Sequence, residues 1–203
     1  MSSPAGDGGA ARDEVSRDAL HRHPDASYAR AAAAVPADAD ERAVISAQLG
    51  RPARGEPAVV HRCRWGLPTV VRVAPRLEDG TPFPTTFWLS CPALRSQVGT
   101  LEADHAMVGC NDRLQDDPGY AAEYAAAHER YVAFRDTLPD PASGAEPLPL
   151  TGSPGSGGMP GHVKCLHVHA AHHLATGDNP VGAWTVEEAT PLACAGPCVP
   201  TGA

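Results

Sequence analysis

The sequence predicts a single α+β domain in which a small antiparallel sheet packs against three to four helices. Segments rich in β-branched residues cluster between residues 58 and 90, and segments with helical periodicity or helix caps follow them. With 203 residues, 42% of them hydrophobic, the chain can form one core, which the 5% aromatic content makes mostly aliphatic. We assign residues 38–203 to this domain and residues 1–37 to a disordered tail.

The tail is predicted from its composition. Residues 1–37 are rich in Ala, Gly, Asp and Arg and show no sustained hydrophobic period, although a transient helix is expected near Tyr28–Ala34. The domain then begins with a short helix at Asp38–Leu49, because an Asp can cap its start and Gly50 can end it.

Three strands and a helix are expected next. Residues 58–63 and 69–74 fit a hairpin, because both are rich in Val and a Gly-containing loop joins them. Residues 85–90 fit a third strand, with β-branched and aromatic side chains. Pro92 suits the first position of a helix, which makes Cys91 the N-cap of the helix that follows.

The strongest helical signal begins at Asp117-Pro118, an N-cap followed by a proline at the first helical position. Residues 104–116 are expected to be a weak helix or loop, residues 141–161 a Gly- and Pro-rich loop, and residues 181–188 a short strand or turn. An apolar stripe follows Pro118 at spacings of three and four, which we interpret as core packing: Tyr120, Tyr124, Ala127, Tyr131, Phe134 and Leu138.

Charge and hydropathy exclude several classes of function. The net charge of −8 argues against a nucleic-acid-binding protein. The sequence has no run of 18 apolar residues, so no transmembrane helix is predicted, and the N-terminus lacks the apolar core of a secretory signal. We therefore expect a cytoplasmic protein, in which six cysteines are metal ligands or free thiols rather than disulfides. The oligomeric state stays open.

The densest chemical signal is the segment His162–His173, which holds five of the ten histidines and one cysteine. Helix-forming residues, followed by the stop signal Gly177–Pro180, favour a helix here. In that helix Cys165 and His169 would share a face and reach one metal ion, whereas His167 would point away.

We predict a metal site whose ligands come from separate segments. The leading set is Cys63, Cys91, Cys165 and His169, and a cysteine of the C-terminal Cys-x3-Cys pair can replace one of them. Three thiolates and an imidazole suit a zinc ion, and thiolates from several segments also suit an iron–sulfur cluster. All candidate ligands are Cys63, Cys91, Cys165, His167, His169, Cys194 and Cys198.

Two other functions are compatible with the sequence. In an enzyme without metal, Cys91 would be the nucleophile, since a thiol at a helix N-terminus is readily deprotonated, and His169 or His167 its base. In a non-catalytic adaptor, the Arg-rich hairpin would bind an acidic partner, because residues 51–76 carry six Arg against one acid. The cations that would hold an anionic, phosphate-bearing substrate are Arg62, Arg64 and Lys164.

Several motifs together resemble the domain of unknown function 501 family, an uncharacterised bacterial family typical of actinobacteria. The resemblance implies no established activity or cofactor. It spans about residues 40–185 and is carried by Leu49-Gly-Arg51, Arg62-Cys63, Asp79-Gly-Thr-Pro-Phe-Pro-Thr85, Trp88-Leu-Ser-Cys-Pro92, Leu101-Glu-Ala103 and Lys164-Cys-Leu-His-Val-His169. The family motifs implied to matter include Cys63, Cys91, Cys165, His167 and His169, whereas His162, His172 and His173 match the pattern less clearly.

Overall fold

A computed structural model of the chain describes residues 24–144, 146–150, 152 and 155–199. Over these residues, seven helices and a three-stranded antiparallel sheet confirm the predicted α+β class. In chain order they are α1 (Pro24–Ala33), α2 (Ala39–Leu49), β1 (Ala58–Arg62), β2 (Pro68–Arg72), β3 (Phe87–Leu89), α3 (Pro92–Ala103), α4 (Ala106–Asp116), α5 (Pro118–Arg135), α6 (Leu166–Thr176) and α7 (Pro180–Ala189).

The sheet has the order β1-β2-β3, with both neighbouring pairs antiparallel. Its central strand β2 is buried along its whole length, so the sheet is covered on both faces. Val70 pairs with Leu89 and both belong to the main core, where α6 packs on the sheet. Val71 and Trp88 form the next pair and line a small cleft with Ile45 of α2 on the other face.

Helix ends follow the local signals in the sequence. The Asp38 carboxylate accepts the Glu41 N–H at the start of α2, and Gly50 ends that helix in the left-handed conformation. Asp117 caps α5 in the same way through the Tyr120 N–H. The predicted stripe of α5 is buried, which confirms its interpretation as core: Tyr120, Tyr124, Ala127, Tyr131, Phe134 and Leu138.

Helix α1 lies within the range that the sequence assigns to the disordered tail. Tyr28 is only 8% exposed, and its ring packs 5.1 Å from that of Phe134, while α1 also contacts α6. The described chain is therefore ordered from Pro24, because tertiary packing stabilises a segment whose composition alone does not predict order. Residues 1–23, the rest of the predicted tail, lie outside the described residues.

The C-terminal part also differs from the prediction. Residues 180–189 form helix α7 rather than a strand or turn, because the Asn179 side chain accepts the Gly182 N–H at 2.9 Å and Pro180 occupies the first turn. Helix α7 approaches α6 closely at Gly182, where an added Cβ would lie 2.0 Å from the His169 carbonyl oxygen. Across the part of the chain described here, no helix is both long and apolar enough to cross a bilayer.

Candidate metal centre and buried histidine network

The His-rich helix begins later than predicted, and this changes the neighbours of its side chains. Helix α6 starts at Leu166, and Cys165 is its N-cap in extended conformation, with φ −154° and ψ 113°. The Glu102 carboxylate, from the end of α3, accepts the N–H groups of Leu166 at 2.6 Å and His167 at 3.4 Å. The late start places His167 beside Cys165, whereas a helix from residue 162 would separate them.

A cluster of three potential metal ligands results. One ligand atom each from Glu102, Cys165 and His167 lies within 4.8 Å of the other two. The side chains of His167 and Glu102 are 31% and 24% exposed, and Cys165 is half-buried, so the cluster is open to solvent on one side. We call these three residues the α6 N-terminal cluster, which could hold a metal ion.

Hydrogen bonds fix the orientation of the His167 ring. Its Nε2 lies 3.1 Å from the carbonyl oxygen of Arg95, which can only accept, so Nε2 carries a hydrogen. Its Nδ1 lies 3.1 Å from Oε1 of Glu102, on the side of the cluster. The bond from Nε2 to the Arg95 carbonyl is the second bond that metal-binding histidines usually make, because it fixes the ring and leaves Nδ1 free for the ion.

The charges of the cluster stabilise one another. The hydrogen bond with Cys165 is the main cause that raises the pKa of His167 to about 9; partial burial opposes it and Glu102 adds to it. Partial burial alone would raise the pKa of Glu102, but bonds to His167 and to two backbone N–H groups hold it below its ordinary value. In the absence of a metal, a proton on Nδ1 thus fills the place that a cation could take.

The other buried histidines of α6 form a separate network. Asn179 orders it: because its Oδ1 accepts the Gly182 N–H, its amide nitrogen must face the two imidazoles. That nitrogen lies 3.1 Å from Nδ1 of His169 and 3.1 Å from Nδ1 of His172. Both Nδ1 atoms are therefore acceptors, and the hydrogen of each neutral ring is on Nε2. We call Asn179, His169 and His172 the buried network.

Each remaining ring nitrogen of the network also has a partner. Nε2 of His169 lies 3.3 Å from the Gly157 carbonyl oxygen and 3.2 Å from the Tyr124 hydroxyl. Nε2 of His172 contacts the hydroxyl of Tyr28, and that hydroxyl donates to Asp178. Asp178 in turn accepts two hydrogen bonds from the Arg130 guanidinium, at 2.7 and 2.8 Å.

Burial keeps both network histidines neutral. It lowers the pKa of His169 to about 4 and that of His172 to about 3, in both cases as the largest cause. Neither side chain has measurable exposure to solvent. His169 is therefore a structural hydrogen-bonding group in this fold, and it is not one of the three converging ligands of the cluster.

The predicted ligand set is divided between places in the fold. Over the described residues, the α6 N-terminal cluster is the single group in which three Cys, His, Asp or Glu ligand atoms meet. No three of Cys63, Cys91, Cys165 and His169 meet that distance. Cys165 and His167 are thus brought together, and Cys63 and Cys91 lie elsewhere, at the end of β1 and the start of α3.

Two of the three residues predicted to bind an anion already have partners within the chain. Arg62 pairs with Glu41 and donates to the Gly66 carbonyl, and Arg64 donates to the Cys194 carbonyl. Lys164 is exposed next to the cluster. Cys91 is 6% exposed, and burial raises the pKa of its thiol, which opposes a role as a nucleophile.

Sequence reasoning did not identify Glu102 as a site residue. The signal that could have found it is its place in the Leu101-Glu-Ala103 motif, where an acid occupies the last turn of a helix. Acids are unfavourable there because of the helix dipole, unless another element uses the carboxylate. Here α6 uses it, since the carboxylate caps that helix. Asn179 was likewise recognised only as part of a stop signal.

Residues 59–187 match a family model described as "Protein of unknown function (DUF501)", which covers more than half of the chain. No curated protein and no solved structure matches the chain.

Proposed function

The chain belongs to the DUF501 family, and we propose that the protein binds a zinc ion through Glu102, Cys165 and His167. The observation that carries the proposal is the convergence of their ligand atoms within 4.8 Å. A zinc ion with bonds of about 2.0–2.3 Å holds tetrahedral ligand atoms roughly 3.3–3.8 Å apart. Shifts of about an ångström in these half-exposed side chains would therefore complete the site.

The donor set favours zinc over the other metals considered. A thiolate, an imidazole and a carboxylate together suit this borderline ion, whereas magnesium and calcium prefer oxygen ligands alone. An iron–sulfur cluster usually needs more cysteines than the one at this place. Three protein ligands leave a fourth position, which the exposed side of the cluster opens to solvent, as in catalytic rather than closed structural zinc sites.

The test is zinc stoichiometry, measured by elemental analysis and native mass spectrometry on protein purified under reducing conditions. Cys165→Ala and His167→Ala should each bind one zinc ion fewer than the parent. Cys110→Ala and His162→Ala are matched controls, since Cys110 lies in α4 outside the cluster and His162 is exposed. Unchanged zinc content in Cys165→Ala and His167→Ala would overturn the proposal.

A second candidate function is thiol chemistry at the same residues. The raised pKa of His167 favours it, because a sulfur anion beside an imidazolium is the resting form of many cysteine nucleophiles. In that function Glu102 would orient His167, and the exposed Lys164 could attract an anionic substrate. Cys165 replaces Cys91 as the nucleophile in this version.

Alkylation of zinc-free protein separates the two functions. A nucleophilic Cys165 should react with iodoacetamide faster in the parent than in His167→Ala, with Cys110→Ala as the control for counting thiols. Equal rates in the parent and His167→Ala would exclude the thiol function, and zinc stoichiometry would still decide the first proposal.

The adaptor hypothesis stays a prediction that rests on the Arg-rich hairpin. Arg64 also stacks on the exposed Trp65 ring, 5.2 Å from its centre, which leaves an aromatic and basic surface at the tip of the hairpin. Loss of binding to an acidic partner in an Arg62→Ala, Arg64→Ala double variant would support it.

A further inference from the structure

Four of the six cysteines lie at one end of the sheet, although they belong to three separate segments of the chain. Cys63 follows β1, Cys91 follows β3 by two residues, and Cys194 and Cys198 lie in the segment after α7. None of them belongs to the α6 N-terminal cluster. We call these four residues the hairpin-end cysteines.

Backbone hydrogen bonds hold Cys63 and Cys91 on the two sides of the central strand. The Cys63 N–H donates to the Leu67 carbonyl at 2.9 Å, on the β1 side. The Ser90 N–H donates to the Thr69 carbonyl at 2.9 Å on the β3 side, and the next residue is Cys91. Both cysteines therefore flank the first residues of β2.

The C-terminal segment returns to the same place. The buried Gln48 amide nitrogen donates both to the Pro68 carbonyl at 2.9 Å and to the Cys198 sulfur at 3.5 Å. Pro68 begins β2, so Cys198 lies where that strand starts. The carbonyl oxygen of Cys194 accepts a hydrogen bond from Arg64, the residue after Cys63. Two contacts thus bring the segment across the end of the hairpin.

The Cys91 N–H also faces the Thr69 carbonyl oxygen, at 3.5 Å, so Cys91 lies beside the residue that follows Pro68. Several thiolates in one place would repel one another, and a divalent cation would turn that repulsion into attraction.

We propose that Cys63, Cys91, Cys194 and Cys198 bind a second zinc ion, as four thiolates in a closed tetrahedral site. Each thiol loses its proton to solvent on binding, and the ion fastens the C-terminal segment to the sheet. No three of these four sulfurs lie within 4.8 Å of one another, so the site closes by a movement of the C-terminal segment, which has no helix or strand over residues 190–199. Four protein ligands leave no open position, so this site is structural.

The experiment counts zinc ions per chain by native mass spectrometry on the reduced full-length protein. The parent should bind about two, and Cys194→Ala, Cys198→Ala should bind about one, since it removes half of the hairpin-end ligands. Cys110→Ala should equal the parent. The double variant changes one half-buried and one exposed residue, so its folding is checked by circular dichroism and is expected to be normal.

Cys63→Ala provides a second variant from another segment and should lose the same ion. Cobalt substitution gives an independent readout, because visible absorption of bound cobalt shifts with the number of thiolate ligands. The spectrum of Cys165→Ala should be that of a four-thiolate site.

The outcomes for the two sites are distinguishable. Equal zinc content in Cys194→Ala, Cys198→Ala and in Cys110→Ala overturns the hairpin-end site, whatever happens at Cys165. If the parent binds a single ion and Cys165→Ala loses it, the hairpin-end site is also overturned. If the parent binds a single ion and Cys194→Ala, Cys198→Ala loses it, the hairpin-end site is supported and the proposed function is overturned instead. A Cys194–Cys198 disulfide in protein purified without reductant, retained in the presence of zinc, counts against the site.

Discussion

The N-terminus and the body of helix α6 use the same residue type in opposite ways. At its N-terminus, His167 is partly exposed, lies beside a carboxylate and a thiol, and has its pKa raised to about 9. Along its body, His172 is fully buried among aromatic rings, and burial lowers its pKa to about 3. Five residues along the chain thus separate a charged, solvent-facing histidine from a neutral core residue.

This difference shows that a segment rich in histidines is not necessarily rich in metal ligands. A buried histidine whose two nitrogens both have protein partners is a hydrogen-bonding part of the core, as His169 and His172 are. A histidine with one nitrogen held by a carbonyl and the other facing a carboxylate is ready to bind a cation. The buried network should therefore govern stability, and the α6 N-terminal cluster should govern chemistry.

The largest effect on stability is expected for Asn179→Ala. It leaves two buried Nδ1 acceptors without a donor and removes the cap of α7, so the free energy of unfolding should fall by about 4 kcal/mol. Chemical denaturation measures the loss. Asn179→Asp keeps the capping oxygen and lacks the amide hydrogens, so most of the loss should remain; wild-type stability in Asn179→Asp would show that the network contributes little.

The next effect is expected at the contact of α6 with α7. A Cβ on residue 182 would lie 2.0 Å from the His169 carbonyl oxygen and 2.7 Å from the Cβ of His173, so Gly182→Ala must push the helices apart. We expect a loss of about 3 kcal/mol. Gly99→Ala is the matched control: Gly99 lies in α3 with nothing within 4 Å, and that variant should gain about 0.5–1 kcal/mol. Similar stabilities of the two variants would contradict the close contact.

The buried network should make the protein less stable as the pH falls. The pKa of His172 is about 3 in the folded chain and about 6.5 in an unfolded one. Below pH 6.5 the unfolded chain binds the proton and the folded chain does not, so stability falls as the pH falls. Between pH 7 and pH 5 this group should cost about 2 kcal/mol.

Denaturation curves of the parent and of His172→Phe at several pH values measure this contribution. Phe can stack on Phe87 as the imidazole does, 5.9 Å between ring centres, but cannot titrate. The variant should be less stable at pH 7 and should have a shallower slope against pH. A slope equal to that of the parent would show that His172 is not the group that responds.

Much of the fold follows from local signals in the sequence. Asp38, Gly50, Asp117 and Pro118 mark helix ends because capping is a local interaction between neighbouring residues. Helix α1 did not follow, because its order depends on the contact of Tyr28 with residues about a hundred positions or more away. Helix α7 was not predicted for a different reason. Its N-cap Asn179 lies in the stop signal Gly177–Pro180, so the sequence indicated the end of one helix and not the start of the next.

The site was less predictable for a related reason. Cys165 and His167 were among the predicted ligands, but the face they share depends on where α6 begins. That start is fixed by Glu102, which lies 64 residues earlier than Leu166, the residue it caps. A helical wheel drawn from sequence alone pairs Cys165 with His169 instead, because it treats Cys165 as helical, whereas Cys165 is extended and lies just before the helix.

Among these variants, Glu102→Gln should have the smallest effect on stability and the largest effect on zinc binding. Glu102→Gln keeps an oxygen that can accept the Leu166 N–H but removes its charge, so the free energy of unfolding should fall by less than about 1 kcal/mol. Glu123→Gln, on the exposed side of α5, is the control and should be neutral. The same Glu102→Gln protein should bind zinc at the cluster much more weakly, since a neutral amide replaces an anionic ligand. A loss of several kcal/mol in Glu102→Gln would mean that the cluster is part of the core, and the contrast between the N-terminus and the body of α6 would then be wrong.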